Sequence, residues 1–143
     1  MEKPAIVGGK PTRKKFLSPF KPAIGKEEID EVVDTLKSGW ISTGPKTHKF
    51  EGMLKKYIGC KYAAVLNSCT AGLHLSLIAA GVGPGDEVIT TPFTFAATAN
   101  VIIHVGAKPV FVDIQKDTYN IDPELIEKSI TKKTKAIIPV HYG

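Results

Sequence analysis

After Gly59 the sequence alternates between two kinds of apolar segment, and this alternation limits the folds that the chain can adopt. Segments typical of strands occupy residues 62–66, 87–91, 109–114 and 135–140. Segments typical of helices separate them, at residues 70–80, 95–105 and 123–130. Strands that alternate with helices of about ten residues form βαβ units, in which a parallel sheet carries helices on its faces. The sequence therefore predicts an α/β fold.

The first 59 residues have a different character. Residues 1–25 are rich in Pro, Gly and Lys, which predicts an extended arm rather than a core element. Apolar residues then recur at helical spacing in two segments, which predicts two amphipathic helices within residues 26–59. A glycine-flanked loop with Trp40 lies between them, and Trp40 either packs locally or contacts a ligand. We thus expect an arm (1–25), two helices (26–59) and an α/β domain (60–143).

The composition, 43% hydrophobic and 23% charged residues, is typical of a globular domain. The net charge of +5 is spread along the chain, which favours small anions over nucleic acid as partners. Cys60 and Cys69 fit no zinc or CxxC spacing and indicate reduced, cytosolic thiols. The histidines at positions 48, 74 and 104 lack a ligand spacing with a carboxylate, so we predict no metal. Without a signal-peptide pattern or a long apolar run, we expect a soluble cytoplasmic protein with no membrane partner.

Polar and small residues follow the first strand-type segment, where the next helix begins. Asn67, Ser68 and Thr70 can each cap this helix, because their side-chain oxygens accept hydrogen bonds from free backbone N–H groups. The small residues Ala71 and Gly72 leave those groups accessible, as in the anion sites found at helix N-termini. On this stretch alone, a capped helix without a ligand is the simpler interpretation.

The other predicted strands also end in polar or aromatic residues. Ligands of an open parallel sheet bind at the carboxyl ends of its strands, where we expect Phe95, Asp113 and His141 to join residues 67–70. Phe95 either stacks on a flat ligand or packs in the core, and His141 either contacts a ligand oxygen or makes a structural hydrogen bond. Asp113 is expected to cap the loop that follows it. An anion turn beside a stacking ring best matches a phosphorylated, flat, aromatic cofactor.

Five ordered segments resemble one known family, the DegT/DnrJ/EryC1/StrS sugar aminotransferases. They are residues 38–44 (SGWISTG), 67–74 (NSCTAGLH), 83–89 (GPGDEVI), 91–100 (TPFTFAATAN) and 134–141 (TKAIIPVH). The resemblance implies a fold-type I enzyme with a three-layer αβα large domain, pyridoxal 5′-phosphate as cofactor and a homodimeric assembly. It implies transfer of an amino group from glutamate or glutamine to a nucleotide-linked keto sugar, in cell-surface polysaccharide or antibiotic sugar biosynthesis.

The resemblance also implies roles for individual residues. Cys69, Thr70 and Ala71 correspond to the turn that holds the cofactor phosphate, and Phe95 corresponds to the ring that stacks on the pyridine. The family more often has Gly or Ala at the position of Cys69, a change that contacts through the backbone tolerate. The predicted cofactor-binding residues are Ser68, Cys69, Thr70, Ala71, Phe95 and His141.

The catalytic residues implied by the resemblance lie outside this sequence. In the family, the Schiff-base lysine and the aspartate that pairs with the pyridine nitrogen follow the segment in which this chain ends, at Gly143. We therefore predict no catalytic residue here. We expect a truncated sequence, inactive alone, in which residues 60–143 are the first part of the large domain. The strand at 62–66 would be separated from the other three by an empty slot with unpaired edges.

Two alternatives remain open. The chain could belong to a non-catalytic or regulatory relative that binds a phosphorylated ligand. It could also belong to a different fold-type I enzyme, such as a sugar dehydratase.

Overall fold

The computed structural model describes residues 3–18 and 20–142. Contacts divide the chain into two compact units, Met1–Ala63 and Ala64–Gly143. Three residues of the predicted arm, at positions 1, 2 and 19, lie outside the described residues, as does Gly143 after the last strand-type segment.

The first unit contains two α-helices, α1 (Lys26–Ser38) and α2 (Pro45–Ile58), which confirms both predicted helices. A 3-10 helix at Ala5–Val7 interrupts the arm, whose other described residues have no regular secondary structure. At the start of α1, the Gly25 N–H donates to the Glu28 carboxylate at 2.7 Å. This hydrogen bond lowers the pKa of Glu28. The apolar residues of both helices stay largely exposed.

Lys46 of α2 holds α1 in place through three contacts. Its Nζ lies 2.5 Å from Glu31 Oε2 and 2.9 Å from Asp34 Oδ2. It also donates to the Glu31 carbonyl at 2.7 Å. The bonds to Glu31 and then Asp34 raise the pKa of Lys46, and Lys46 in turn lowers the pKa of Asp34. One ammonium group therefore joins the two helices.

The second unit has the predicted α/β order. Its three strands form one parallel sheet in the order β2-β1-β3. The three later helix-type and three later strand-type segments are confirmed, with small shifts at their ends. The elements are α3 (Cys69–Ala79), β1 (Glu87–Thr90), α4 (Ala97–His104), β2 (Lys108–Phe111), α5 (Pro123–Ser129) and β3 (Thr134–Ile138).

The core has two parts, because neighbouring residues of β1 point to opposite faces of the sheet. On one face, Val88 packs with Leu77 of α3 and Ile102 of α4. On the other face, Ile89 packs against a cluster that includes Leu125 of α5. Every residue from 87 to 91 is buried. Helices therefore cover both faces of the central strand, as expected for a parallel sheet.

The carboxylate of Glu87 connects three segments at the amino edge of the sheet. Its Oε2 accepts a hydrogen bond from Thr131 Oγ1 at 2.7 Å, and its Oε1 lies 3.3 Å from Lys108 Nζ. The bond from Thr131 is the main cause that lowers the pKa of Glu87, and the Lys108 ammonium adds to it against the opposing effect of burial. Glu87 thus ties β1 to β2 and to the loop before β3.

The predicted strand at residues 62–66 is wrong. This segment has no strand structure, and the described sheet consists of β1, β2 and β3. An extended segment becomes a strand only when a neighbour pairs with its backbone groups, and none of these three strands does so. The described sheet therefore does not include this segment.

None of the helices in the described part of the chain combines the length and the apolar character that crossing a membrane requires.

Candidate functional site

The predicted phosphate turn forms the start of α3. Ser68 is the N-cap, with an extended backbone at φ −161° and ψ 154°. Its Oγ accepts a hydrogen bond from the Ala71 N–H at 3.1 Å. Its carbonyl accepts the Gly72 N–H at 3.1 Å, which is the first hydrogen bond of the helix. Of the three residues predicted as possible caps, Ser68 therefore takes this role.

Two backbone N–H groups remain available at this turn. Within residues 3–18 and 20–142, the amides of Cys69 and Thr70 donate to no acceptor, and the Thr70 hydroxyl has no partner. Both side chains are exposed, and the first turn of α3 contains no acidic residue. A Cβ added at Gly72 would meet only Leu66, at 3.8 Å. The turn therefore has the donors, the helix polarity and the open approach that a phosphate group requires.

Phe95 follows β1 and lies two residues before the first residue of α4. Its side chain is 81% exposed, so the interpretation as a core ring is wrong. The ring lines a cavity of about 310 Å³, near the lower end of the usual range for ligand pockets. Residues 68–71 and His141 are not among the residues that line this cavity, which are Pro92, Phe93, Thr94, Phe95, Val140 and Tyr142.

Three aromatic rings meet beside this cavity, and we call Phe93, Tyr119 and Tyr142 the aromatic cluster. The ring centroid of Phe93 lies 4.8 Å from that of Tyr142 and 5.8 Å from that of Tyr119, and the two tyrosine centroids are 5.7 Å apart. These tilted arrangements lie within the range of attractive aromatic pairs, each worth about 0.5–1.5 kcal/mol beyond the burial of area. All three rings stay partly exposed, at 40%, 49% and 58% for Phe93, Tyr119 and Tyr142.

The backbone at Tyr119 has an unusual conformation that hydrogen bonds stabilise. Tyr119 has φ +57°, the one positive φ among the described residues other than glycine. A left-handed conformation costs such a residue about 1–2 kcal/mol. Hydrogen bonds hold it: the Tyr119 N–H donates to the Gln115 carbonyl at 3.0 Å, and the Gln115 N–H donates to the Asn120 carbonyl at 2.9 Å. Asn120 Oδ1 in turn accepts from the Tyr142 N–H at 3.0 Å.

The sequence predictions did not assign a role to this cluster. Phe93 and Tyr142 follow predicted strands, whereas no sequence pattern distinguishes Tyr119. The available signal was the turn-forming composition of residues 117–120, which contain Asp117 and Asn120. Such a composition predicts a turn, but it does not predict which distant aromatic rings the Tyr119 side chain contacts.

The remaining candidates have more local roles. Asp113 Oδ1 accepts from the Ile114 N–H at 2.8 Å, so the prediction that it caps its loop is confirmed. Asp122 accepts from the Glu124 N–H at 2.9 Å and is the N-cap of α5, as predicted. His141 is exposed and, among the described residues, has no hydrogen-bond partner. Trp40 lies against Gly44, where an added Cβ would be 3.1 Å from the indole, and is 58% exposed.

Several other polar groups among the described residues do not form an anion or metal site. A depression of about 1010 Å³ along α1 is lined by five acidic residues and Phe50, which would repel an anion. Both cysteines are free and exposed. His74 and His104 contact each other edge to face, with ring centroids 5.9 Å apart. Within the described residues, no group of three or more His, Cys, Asp or Glu side chains could hold a metal ion.

The sequence model of the DegT/DnrJ/EryC1/StrS aminotransferase family matches residues 22–143. The chain belongs to this family. Its relatives include the "Uncharacterized protein MJ1066" of Methanocaldococcus jannaschii, 68% identical over 131 residues, and the spore coat polysaccharide biosynthesis protein SpsC of Bacillus subtilis, 56% identical over 131 residues. Each alignment covers 92% of this chain and 34% of the relative.

The solved structure of a sugar aminotransferase has a similar fold. The putative sugar aminotransferase Spr1654 from Streptococcus pneumoniae, in its PMP form, is 54% identical and superposes with a TM-score of 0.78. The match covers 87% of this chain and 32% of that one, and Spr1654 is also known in a PLP form. The α/β fold of a pyridoxal-phosphate-dependent transferase is therefore confirmed. The chain spans about a third of the length of the relatives that it matches.

Proposed function

We propose that this chain supplies the phosphate-binding and ring-stacking part of a pyridoxal-phosphate-dependent sugar aminotransferase. The observation that carries the proposal is the pair of unpaired amides at Cys69 and Thr70, on a capped helix without an acid in its first turn. Family membership and the PLP and PMP forms of Spr1654 indicate which phosphorylated compound suits this turn.

Each residue of the turn has a distinct task in this proposal. Ser68 fixes the turn by capping Ala71, which directs the amides of Cys69 and Thr70 outward. These amides and the Thr70 hydroxyl donate to the phosphate oxygens. Hydrogen bonds to a charged group contribute about 1.5–3 kcal/mol each, whereas the helix dipole adds about 0.3–1 kcal/mol. Directed hydrogen bonds therefore provide most of the affinity for phosphate.

Phe95 and His141 complete the proposed cofactor contacts. Pyridoxal phosphate, when bound, supplies a conjugated ring that draws electrons from the reacting carbon of the substrate. The exposed ring of Phe95 can cover one face of that ring and exclude water from it. The His141 imidazole, exposed after β3, can donate to or accept from a ligand oxygen.

The wider proposal follows the family resemblance. The amino donor is glutamate or glutamine and the acceptor is a nucleotide-linked keto sugar. The polysaccharide biosynthesis role in the name of SpsC supports a sugar as the acceptor. The enzyme is a cytoplasmic homodimer, with an arm (1–25), two helices (26–59) and the first part of the large domain (60–143). The covalent lysine and the aspartate that pairs with the pyridine nitrogen belong to parts of the family that this chain does not cover.

Pyridoxamine 5′-phosphate provides the test, because it carries the phosphate and the ring but has no aldehyde to react with surface lysines. We expect it to shift the amide resonances of Cys69 and Thr70 in a nitrogen–proton correlation spectrum of the chain. Thr70→Ala should weaken the binding by about 1–3 kcal/mol, or roughly 5- to 150-fold in Kd, because one hydrogen bond to the phosphate is lost.

Two controls make the result specific. Ser76→Ala, a hydroxyl removed from the same helix away from its first turn, should leave the Kd unchanged. Pyridoxamine without the phosphate should not shift the two amides. If pyridoxamine 5′-phosphate shifts other residues but not Cys69 and Thr70, or if Thr70→Ala binds it equally well, the proposed turn is wrong.

A further inference from the structure

Two rings of the aromatic cluster line the cavity that Phe95 also lines. Phe93 and Tyr142 both line this cavity, and Tyr119 lies behind them in contact with both rings. The three rings come from the loop after β1, the turn before α5 and the chain after β3. Two of these segments thus present aromatic rings to the cavity, and the third contacts both of those rings.

One residue of the cluster has a strained backbone conformation. Tyr119 has φ +57°, which a large side chain rarely adopts, and the hydrogen bond from the Tyr142 N–H to Asn120 ties this turn to the end of β3. Such strain persists where surrounding contacts hold it, and here the hydrogen bonds of Gln115 and Asn120 do so. Residues held in such conformations occur preferentially at ligand sites.

The chemistry of the cavity narrows the choice of ligand. Its lining residues carry no charge, so it offers no counter-ion to a phosphate or a carboxylate. Flat aromatic faces with hydroxyl groups at the edge suit a neutral ring that has an apolar face and polar edges. A pyranose ring and a nucleotide base both have this chemistry. Phe95, the proposed cofactor-stacking ring, lines the same cavity, so a group held by Phe93 and Tyr142 would lie beside the cofactor ring. In an amino acceptor, the group beside the cofactor ring is the sugar.

We propose that Phe93 and Tyr142 bind the sugar ring of the amino acceptor, with the C–H face of the pyranose against their rings, and that Tyr119 is a positioning residue that holds both. The inference rests on the proposed function and names the part of the substrate that this cavity takes. Tyr119 does not line the cavity. The inference nevertheless predicts that sugar binding depends on the Tyr119 side chain.

Saturation-transfer NMR on the chain saturated with pyridoxamine 5′-phosphate can test this, with UDP-N-acetylglucosamine as the probe and UDP as the comparison. Bound cofactor fills the phosphate turn and prevents the diphosphate from occupying it. We expect saturation of the pyranose ring protons, stronger than that of the uracil protons, and weak transfer to UDP. Phe93→Leu, which keeps apolar bulk but removes the flat face, should weaken the sugar signal about three- to tenfold, the effect expected for one aromatic contact.

Tyr119 is tested with substitutions that fit its backbone. Tyr119→Asn removes the ring but tolerates the left-handed conformation, so the fold should persist while the sugar signal falls about three- to tenfold. Tyr119→Phe should restore the signal, and Tyr62→Asn, at an exposed tyrosine in the segment before α3, should not change it. The cofactor-induced shifts of Cys69 and Thr70 should be the same in all these variants.

Three results would overturn the inference: saturation of uracil rather than pyranose protons, no transfer to either probe, or equal sugar signals in the parent chain, Phe93→Leu and Tyr119→Asn. Because the cofactor shifts are recorded on the same samples, the two proposals can fail separately. Absent shifts at Cys69 and Thr70 count against the cofactor site. A missing sugar signal with those shifts present counts against the sugar contact alone.

Discussion

At the scale of single residues, Ser68 has both a structural and a binding consequence. Its Oγ accepts the Ala71 N–H at 3.1 Å, which satisfies one of the amides that a helix start leaves unpaired. Ser68→Ala should therefore lower the free energy of unfolding of the Ala64–Gly143 unit by about 1 kcal/mol, and Ser68→Gly by only a few tenths. Urea denaturation monitored by resonances of this unit can measure the difference.

The matched control for this prediction lies in the same helix. Ser76→Ala replaces an exposed serine inside α3 and should be neutral or slightly stabilising, because alanine favours helix interiors. Equal stability of Ser68→Ala and the parent chain would show that the cap contributes nothing to the helix.

Some site residues could be predicted individually, because their effect depends on nearby sequence. Ser68 and Asp122 act on amides two or three residues away, so their caps follow from the local pattern. Tyr119 could not be predicted in this way. Its ring meets Phe93 and Tyr142, which are 26 and 23 residues distant from position 119, and contacts at that distance depend on the assembled sheet.

At the scale of elements, the ion pair and hydrogen bond at Glu87 make the sheet sensitive to acid. The pKa of Glu87 is lowered in the folded chain, chiefly by the Thr131 hydroxyl, relative to the ordinary unfolded value of 4.5. The resulting stabilisation is fully present above that unfolded value and is lost as the pH falls through the lower folded pKa. We expect Glu87→Gln to reduce the dependence of stability on pH in this acidic range, as measured by urea denaturation in steps between neutral and acidic pH.

Glu127→Gln is the control, because Glu127 of α5 is exposed and has no ion pair among the described residues. This variant should keep the pH dependence of the parent chain. A Glu87→Gln variant with the same acid sensitivity as the parent chain would contradict the role of this carboxylate.

The positions of helices and strands were easier to predict from the sequence than the pairing between strands. Helices α1 to α5 follow from apolar periodicity and end signals, and the strands β1 to β3 follow from short apolar runs, since both signals are local. The segment at 62–66 has the same apolar signal but is not a strand, because strand structure also requires a paired neighbour. The local sequence thus predicts an extended apolar segment, but whether that segment is a strand depends on pairing with the rest of the sheet.

At the scale of the whole molecule, we expect this chain to bind the cofactor without catalysing transamination. We predict that the 143-residue chain binds pyridoxamine 5′-phosphate but does not accelerate conversion of pyridoxal phosphate and glutamate into their transamination products. The physical reason comes from the family resemblance, which implies that the covalent lysine follows the segments found here, so that the proposed site binds the cofactor without reacting with it. Product formation can be followed by chromatography against free pyridoxal phosphate as the reference.

A lysine-free peptide or buffer alone should give the same slow rate as the chain. An acceleration that disappears when one lysine of this chain is replaced would contradict the prediction, since it would place a reactive lysine within these residues.

The position of β1 between β2 and β3 also has a consequence for the order of folding. Lys108 of β2 is 21 residues from its β1 partner Glu87, whereas the Thr90 hydroxyl reaches Ile138 of β3 across 48 residues. Closing the longer loop costs roughly 0.6 kcal/mol or more in additional entropy, because that cost rises with the logarithm of loop length. During synthesis β1 and β2 can therefore associate first. The side of β1 that later pairs with β3 then stays unpaired until β3 has been synthesised. The most deeply buried strand of the finished unit is, for that interval, an open edge that a chaperone or another nascent chain can reach.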